Sequence, residues 1–327
     1  MERLDAVQRP ADRRREGRLG EPATLWIKRD DLSSDLYGGN KVRKLELLLG
    51  AARDAGRTRI LTMGAAGSHQ VVATAMYGAR EGFTVEAVLV AQPASAHAEL
   101  NLRVALAYGL HAIACPAWAL APALVAARSG RDAYFVPLGG SNVLGSLGFV
   151  DAAHELAAQV RAGELEEPDV VVVAMGSGGT AAGLAAGFEQ AGLRTRVLGV
   201  AVSPPTALLK HLARRLTKNT AEGAGMPVAA ALRAAARLDV EGRWMGRGYG
   251  HATEEGSAAS EVARGAGVVL DATYTAKAFA CALALAGRGD VRNVLYWHTL
   301  STAPLEPLLS DEARAAKLPK PLARLLR

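Results

Sequence analysis

Short continuous apolar runs alternate along this chain with Ala-rich stretches whose apolar positions recur every three to four residues. The runs read as strands buried on both faces, and the stretches between them as amphipathic helices. TLWIKRDD (24–31), RILTMG (59–64), TVEAVLV (84–90), LHAIA (110–114) and AYFVPL (133–138) predict strands. Helices are predicted over 41–54, 68–81, 97–108 and 119–129. A second series adds a helix at 145–161, the strand DVVVVAM (169–175), a helix at 179–191, the strand RVLGVAV (196–202) and a helical region at 205–237. GVVLD (267–271), a helix at 274–286 and the strand NVLYWH (293–298) complete it. Such alternation builds mostly parallel sheets flanked by helices, so the fold class is α/β with two lobes. The expected division sets a small lobe, 51–144, against a large one made of 1–50 and 145–327, with a peripheral tail beyond about 310. Two sheets leave a cleft, and ligands in such folds sit near the C-terminal ends of strands.

Composition narrows the function. The 327 residues are 21% charged and half apolar, enough to bury a sizeable core. There is no uncharged apolar run of membrane-spanning length and no apolar stretch of a signal peptide near the start, so a cytoplasmic protein without a membrane partner is expected. Cys115 and Cys281 lie in unrelated contexts without ligand spacing, which predicts buried thiols and neither disulfide nor metal site. The net charge of +6 is carried by scattered arginines, apart from RRR at 13–15 in an arm expected to be mobile. Aromatics are only 5% and are not interleaved with basic residues, which argues against nucleic acid. A small anion is the expected partner.

Two stretches call for that anion. In GGNKVRKLE (38–46) a helix begins with Asn40 as the expected N-cap, yet its first turn holds Lys41, Arg43 and Lys44. The helix dipole disfavours each exposed cation there by roughly 0.3–1 kcal/mol. Lys41 and Lys44, three apart, share a face, so one ammonium can meet a phosphate while the other sits beside it. An amine crowded by positive charge and partly desolvated favours its neutral, nucleophilic form. In DVVVVAMGSGGTAAGLAAG (169–187) a buried strand runs through Gly176, Ser177, Gly178, Gly179 and Thr180 straight into a helix, a phosphate cradle of backbone N–H groups and hydroxyls. Gly176, Gly178 and Ala181 also satisfy the GxGxxA dinucleotide pattern, but the next strand ends in Ser203-Pro204-Pro205 where that site needs an acidic residue for the ribose.

IKRDDLSSDLYGGNKVRKLE, PLGGSNVLGSLGF, AMGSGGTAAGLAAG, GYGHATEEG and LDATYTAKAFA together resemble, in the same order, the motif set of the pyridoxal-phosphate enzymes that include D-cysteine desulfhydrase and 1-aminocyclopropane-1-carboxylate deaminase. The resemblance spans about 24–301 and implies the tryptophan synthase β-subunit fold, fold type II, with the large lobe binding pyridoxal 5'-phosphate. It implies that Lys41 bonds the cofactor carbonyl and moves protons at the substrate carbon. Lys44, Gly178, Gly179 and Thr180 would hold the phosphate, with Gly176 and Ser177 in the same loop. Ser68 matches a serine facing the substrate carboxylate, and Tyr249 and Tyr274 match two active-site tyrosines. Relatives are commonly homodimers, so a homodimer acting on a small amino acid is implied.

The chain departs from the pattern at three places. GSHQVV stands where the family commonly reads QSNxxR, putting His69 near the cofactor's 3'-oxygen, as a new acid or base or as a structural residue. Thr275 stands where the deaminase has a glutamate, and a neutral hydroxyl does not keep the pyridine nitrogen protonated as a carboxylate does. Thr299, in HTLS where relatives read HTGG, is the other candidate partner of that nitrogen. A weaker electron sink disfavours ring-opening deamination and favours β-elimination to a keto acid and ammonia. A racemase, a β-replacement synthase, a deaminase and a noncatalytic binding protein on this scaffold are the alternatives.

Overall fold

The computed structural model describes residues 2–3 and 23–326, so the arginine run at 13–15 lies outside the described residues. In chain order the first half runs β1 (Glu2–Arg3), β2 (Thr24–Arg29), α1 (Asn40–Asp54), β3 (Arg59–Ala65), α2 (His69–Arg80) and β4 (Thr84–Val90). Then come α3 (Ala96–Ala107), β5 (His111–Ala114), α4 (Ala121–Arg128), β6 (Ala133–Val136) and α5 (Val143–Arg161). The second half continues with β7 (Val170–Met175), α6 (Gly179–Gln190), β8 (Arg196–Ala201), α7 (Thr206–Gly223), α8 (Val228–Ala236) and β9 (Leu238–Glu241). It closes with α9 (Glu254–Gly265), α10 (Thr275–Ala286), β10 (Asn293–His298), α11 (Asp311–Ala315) and α12 (Lys320–Ala323).

Two sheets form. One has six strands in the order β1-β2-β10-β7-β8-β9, parallel except for β1, and the other has four in the order β5-β4-β3-β6, all parallel. The VVVVAM strand β7 and the NVLYWH strand β10 are buried at every position, as strands covered by helices on both faces must be. Helices α5 and α6 pack tightly because glycine lies at the crossing. A Cβ on Gly183 would fall 2.2 Å from the Ser146 carbonyl oxygen, and one on Gly187 2.5 Å from the Ala153 methyl.

Several boundaries differ from the sequence expectation. β2 stops at Arg29 because Asp30 and Asp31 turn into a 3-10 helix, where Asp30 takes Arg43 and Asp31 takes Arg29. β6 stops before Pro137, which has no N–H to continue a ladder. The region 205–237 breaks into α7 and α8 at Gly225, whose φ of +82° suits glycine. GVVLD (267–271) is not a strand. It is the exit from α9, where Gly267 at φ +72° ends the helix and the Val268 N–H donates to the Ala263 carbonyl; the edge next to β8 is taken by β9. Neither α9 nor β9 stands out in the hydrophobic pattern: β9 is four residues long, and α9 carries two glycines and two serines.

The tail is not peripheral. Leu305, Leu309, Leu322 and Leu325 are buried in one core with α1, α2 and α3, each burial contributing roughly 2 kcal/mol. Arg103 of α3 donates to the carbonyls of Ala313 and Ala316, and the Gln92 N–H donates to the Leu325 carbonyl beyond α12. Among the described residues no helix is long and apolar enough to cross a membrane, and no His, Cys, Asp or Glu cluster could hold a metal ion. Both cysteines are buried free thiols.

Candidate active site

A cavity of about 470 Å³ is lined by the residues that directly follow β3, β4, β6, β7, β8 and β10. It therefore sits where the C-terminal ends of both sheets face each other. Every residue singled out from the sequence lines it: Lys41, Lys44, Ser68, His69, Gly176, Ser177, Gly178, Gly179, Thr180, Tyr249, Tyr274, Thr275 and Thr299.

One end is a cradle. Gly178 is the N-cap of α6 at φ +89°, and the Gly179 N–H donates to Ser141 Oγ at 3.1 Å. Ser141 Oγ also lies 2.7 Å from Ser177 Oγ and accepts from Lys44 Nζ at 3.3 Å. A Cβ on Gly179 would sit 2.4 Å from Ser141 Oγ and 2.9 Å from Lys44 Nζ, so only glycine keeps this corner open. Lys44 is 1% exposed and donates otherwise only to the Gly139 carbonyl. Burial first, then the nearby Lys41, hold its pKa well below the usual lysine value, a strain that a bound anion would remove.

Asn40 does not cap α1. The N-cap is Gly39 at φ +82°, where a Cβ would meet the Thr299 carbonyl oxygen at 2.6 Å. The Asn40 N–H donates to that same carbonyl, and its side-chain amide donates to Thr180 Oγ1 at 3.0 Å. The N-terminus of α1 is thereby tied to that of α6, and both positive dipole ends meet at the cradle. Arg43 turns the other way, onto Asp30 at 2.8 Å and Glu155 at 3.0 Å, which accounts for the third cation of the turn.

The opposite end carries the ionisable groups. Burial lowers the Lys41 pKa to about 8, with the Asp271 carboxylate opposing the shift. At pH 7.5 a group of pKa 8 is about a quarter neutral, against about 0.1% for an ordinary lysine. Asp271 has no partner signature in the sequence, yet among the described residues it supplies the only carboxylate lining the cavity. Its Oδ1 accepts the N–H groups of Thr273 and Tyr274, and its Oδ2 accepts the N–H of Thr275 and the Thr275 hydroxyl at 2.6 Å. Against the effect of burial, the neighbouring His69 and these donors keep its pKa below the usual carboxylate value. With four donors the carboxylate is saturated, so it shapes the field of the cavity and holds the start of α10. The Thr275 hydroxyl is spent on that carboxylate.

His69 begins α2 behind its N-cap Ser68. Its Nδ1 lies 2.6 Å from the Tyr37 hydroxyl and its Nε2 3.1 Å from His97 Nε2, so both ring nitrogens are engaged. Burial lowers its pKa to about 4, with Asp271 opposing, so the ring is neutral at physiological pH. Tyr249 and Tyr274 meet edge to face with centroids 5.6 Å apart, and burial raises the pKa of both hydroxyls. A Cβ on Gly176 would lie 3.2 Å from the Tyr274 ring, which packs that loop against the tyrosine pair.

The donor set fits a phosphate ester beside an amine-reactive carbonyl: a glycine corner with Lys44, and beside it the Lys41 amine, whose pKa burial lowers. The sequence is similar to D-cysteine desulfhydrase of Klebsiella pneumoniae (strain 342), 36% identical over 78% of this chain and 79% of the relative. Nocardicin C-9' epimerase of Nocardia uniformis subsp. tsuyamanensis is 35% identical over 86% and 87% of the two chains. Among solved structures, an ACC deaminase homologue is 31% identical with a TM-score of 0.74, covering 88% of this chain and 89% of that one. The family model of pyridoxal-phosphate dependent enzymes matches residues 11–299, a span that takes in the paired lysines, the glycine corner and the tyrosine pair. The family match and these relatives cover most of the chain, and it belongs to the pyridoxal-phosphate-dependent enzyme family.

Proposed function

We propose that this chain is a lyase that removes the α-proton of an amino acid and expels its β-substituent, releasing a keto acid and ammonia. The observation that carries the proposal is the buried Lys41 amine, biased toward its neutral form, in one cavity with the Lys44–Ser141–Gly179 corner. The relative named D-cysteine desulfhydrase supports the same reaction class. Pyridoxal phosphate, when bound, supplies the electron withdrawal that acidifies the α-C–H bond. Lys44 Nζ, the Gly178 and Gly179 N–H groups and Thr180 would hold and orient its phosphate, fixing the scissile bond by anchoring. Lys41 would hold the cofactor's carbonyl end, and its neutral amine, when free, would take the α-proton. Ser68, at the N-terminus of α2, faces the substrate carboxylate, and the Tyr249–Tyr274 pair closes that side.

Elimination is favoured over ring-opening deamination because the cavity offers the pyridine nitrogen no free carboxylate. Asp271 is saturated, Thr275 is bonded to it, and Thr299 presents a hydroxyl. Inversion by two bases is disfavoured because His69, the nearest second base, has both nitrogens engaged. The proposal includes a cytoplasmic homodimer in which the 51–144 lobe, with the leucine-rich tail packed on it, faces the rest of the chain. The test is product analysis on D- and L-amino acids with β-leaving groups, with and without an added thiol, beside Lys41→Ala. Keto acid alone supports elimination; a new amino acid or an inverted substrate overturns it in favour of replacement or racemisation.

A further inference from the structure

The cavity has a third wall that the cradle and the proton-moving groups leave unused. It is formed by Ala91 and Pro93 after β4 and Trp118 after β5, adjacent strands paired at Leu89 and Ala114. Pro93 abuts the loop that carries Tyr249: a Cβ on Gly250 would lie 2.9 Å from Pro93 Cδ, so this wall adjoins the substrate side of the tyrosine pair. Trp118 is 46% exposed, whereas Trp297 is 0% and Trp244 9% exposed. Tryptophan carries the largest apolar surface of any side chain, and one that lines the cavity half-exposed offers that surface to a ligand. The charges around the cavity point the same way. Among the described residues its cations are Lys41 and Lys44, both assigned to the cofactor, and no described arginine lines it. A second carboxylate or a sulfonate on the substrate would therefore enter without a partner, next to the Asp271 carboxylate.

The geometry points to a substrate whose β-substituent is a bulky, uncharged apolar group seated against Trp118, Pro93 and Ala91: an S-alkyl or S-aryl cysteine, not free cysteine. This rests on the elimination reading and names its leaving group. The Cα–H bond breaks with the proton going to Lys41, and the Cβ–S bond breaks with its electron pair going to sulfur, which leaves as a thiolate and takes that proton to become the thiol. The released unsaturated amine gains a proton at Cβ from solvent, water adds at the α-carbon and the C–N bond breaks, giving the keto acid and ammonium; no oxidant or reductant is needed.

The test is calorimetric titration of the pyridoxal-phosphate-loaded protein with amino acids that have no leaving group, alanine, phenylalanine and aspartate as both enantiomers, beside thiol and keto acid release from cysteine and S-benzylcysteine. Phenylalanine is expected to bind roughly tenfold or more tighter than alanine in one enantiomeric series, and aspartate more weakly than alanine. Trp118→Ala should reduce the phenylalanine preference to within about threefold, and Trp118→Phe should retain it, because a half-exposed site tolerates both changes without unfolding. Equal binding of alanine and phenylalanine, or a preference unchanged in Trp118→Ala, overturns the apolar wall even if cysteine is turned over. The preference without keto acid from either cysteine sustains the wall and overturns elimination instead.

Discussion

The two ends of the cavity are built by different means. At the cradle, backbone N–H groups, glycine corners and serine hydroxyls are fixed by the starts of α1 and α6, and Asn40 links the two helices. At the other end, Lys41, His69, Asp271 and the tyrosine pair hold one another by side-chain contacts and fields. Rigid backbone suits a task that does not change, anchoring an anion. Side chains suit a task that varies, and two of the departures from the family pattern, His69 and Thr275, fall at that end, while Thr299 adjoins the start of α1.

The sharpest way to break the comparison is Lys41→Ala, which is expected to lower keto acid release by roughly 10³-fold or more while the protein still binds pyridoxal phosphate through the cradle. The check is turnover together with borohydride treatment, which should convert the visible band of the wild type into a non-dialysable near-ultraviolet absorbance and leave the cofactor of the variant dialysable. Gly179→Val attacks the cradle alone. Its side chain meets Ser141 and Lys44, and cofactor affinity should fall about 30- to 100-fold in a fluorescence titration. Asp271→Asn probes the other end. Asp271 raises the Lys41 pKa against burial, so its loss drops that value below about 8, and the rise of cofactor attachment with pH should move to lower pH. A midpoint that stays or rises would show that Asp271 does not act on Lys41 through its field. The smallest effect is expected for Asn40→Ala, which removes the 3.0 Å bond to Thr180 and should cost about 1 kcal/mol, a few degrees in a thermal melt.

Much of the fold was legible because buried parallel strands are written as continuous apolar runs, β4 and β7 most plainly. The glycine loop and the paired lysines were legible because each is local. Ser141 and Asp271 were not, since their roles arise from contacts between distant segments: Ser141 meets Gly179 38 residues on. Asp271 did carry a local signal, an acidic residue just before a helix start, but that pattern predicts a cap and says nothing of the cavity it faces. The GVVLD stretch was misread because its apolar run belongs to a helix exit, and the tail because its leucines are spaced among Arg and Pro.

The place of β10 has a consequence for how the chain is made. It lies between β2 and β7, so the centre of the six-stranded sheet is supplied by residues 293–298, long after β2 in the chain, while the four-stranded sheet comes from one continuous stretch, 59–136. On a ribosome the smaller sheet can close early, but β2 and β7 must wait with open edges until residues 293–298 emerge. Stalled nascent chains ending before residue 290 should therefore protect the smaller sheet from protease and leave the larger one cleavable.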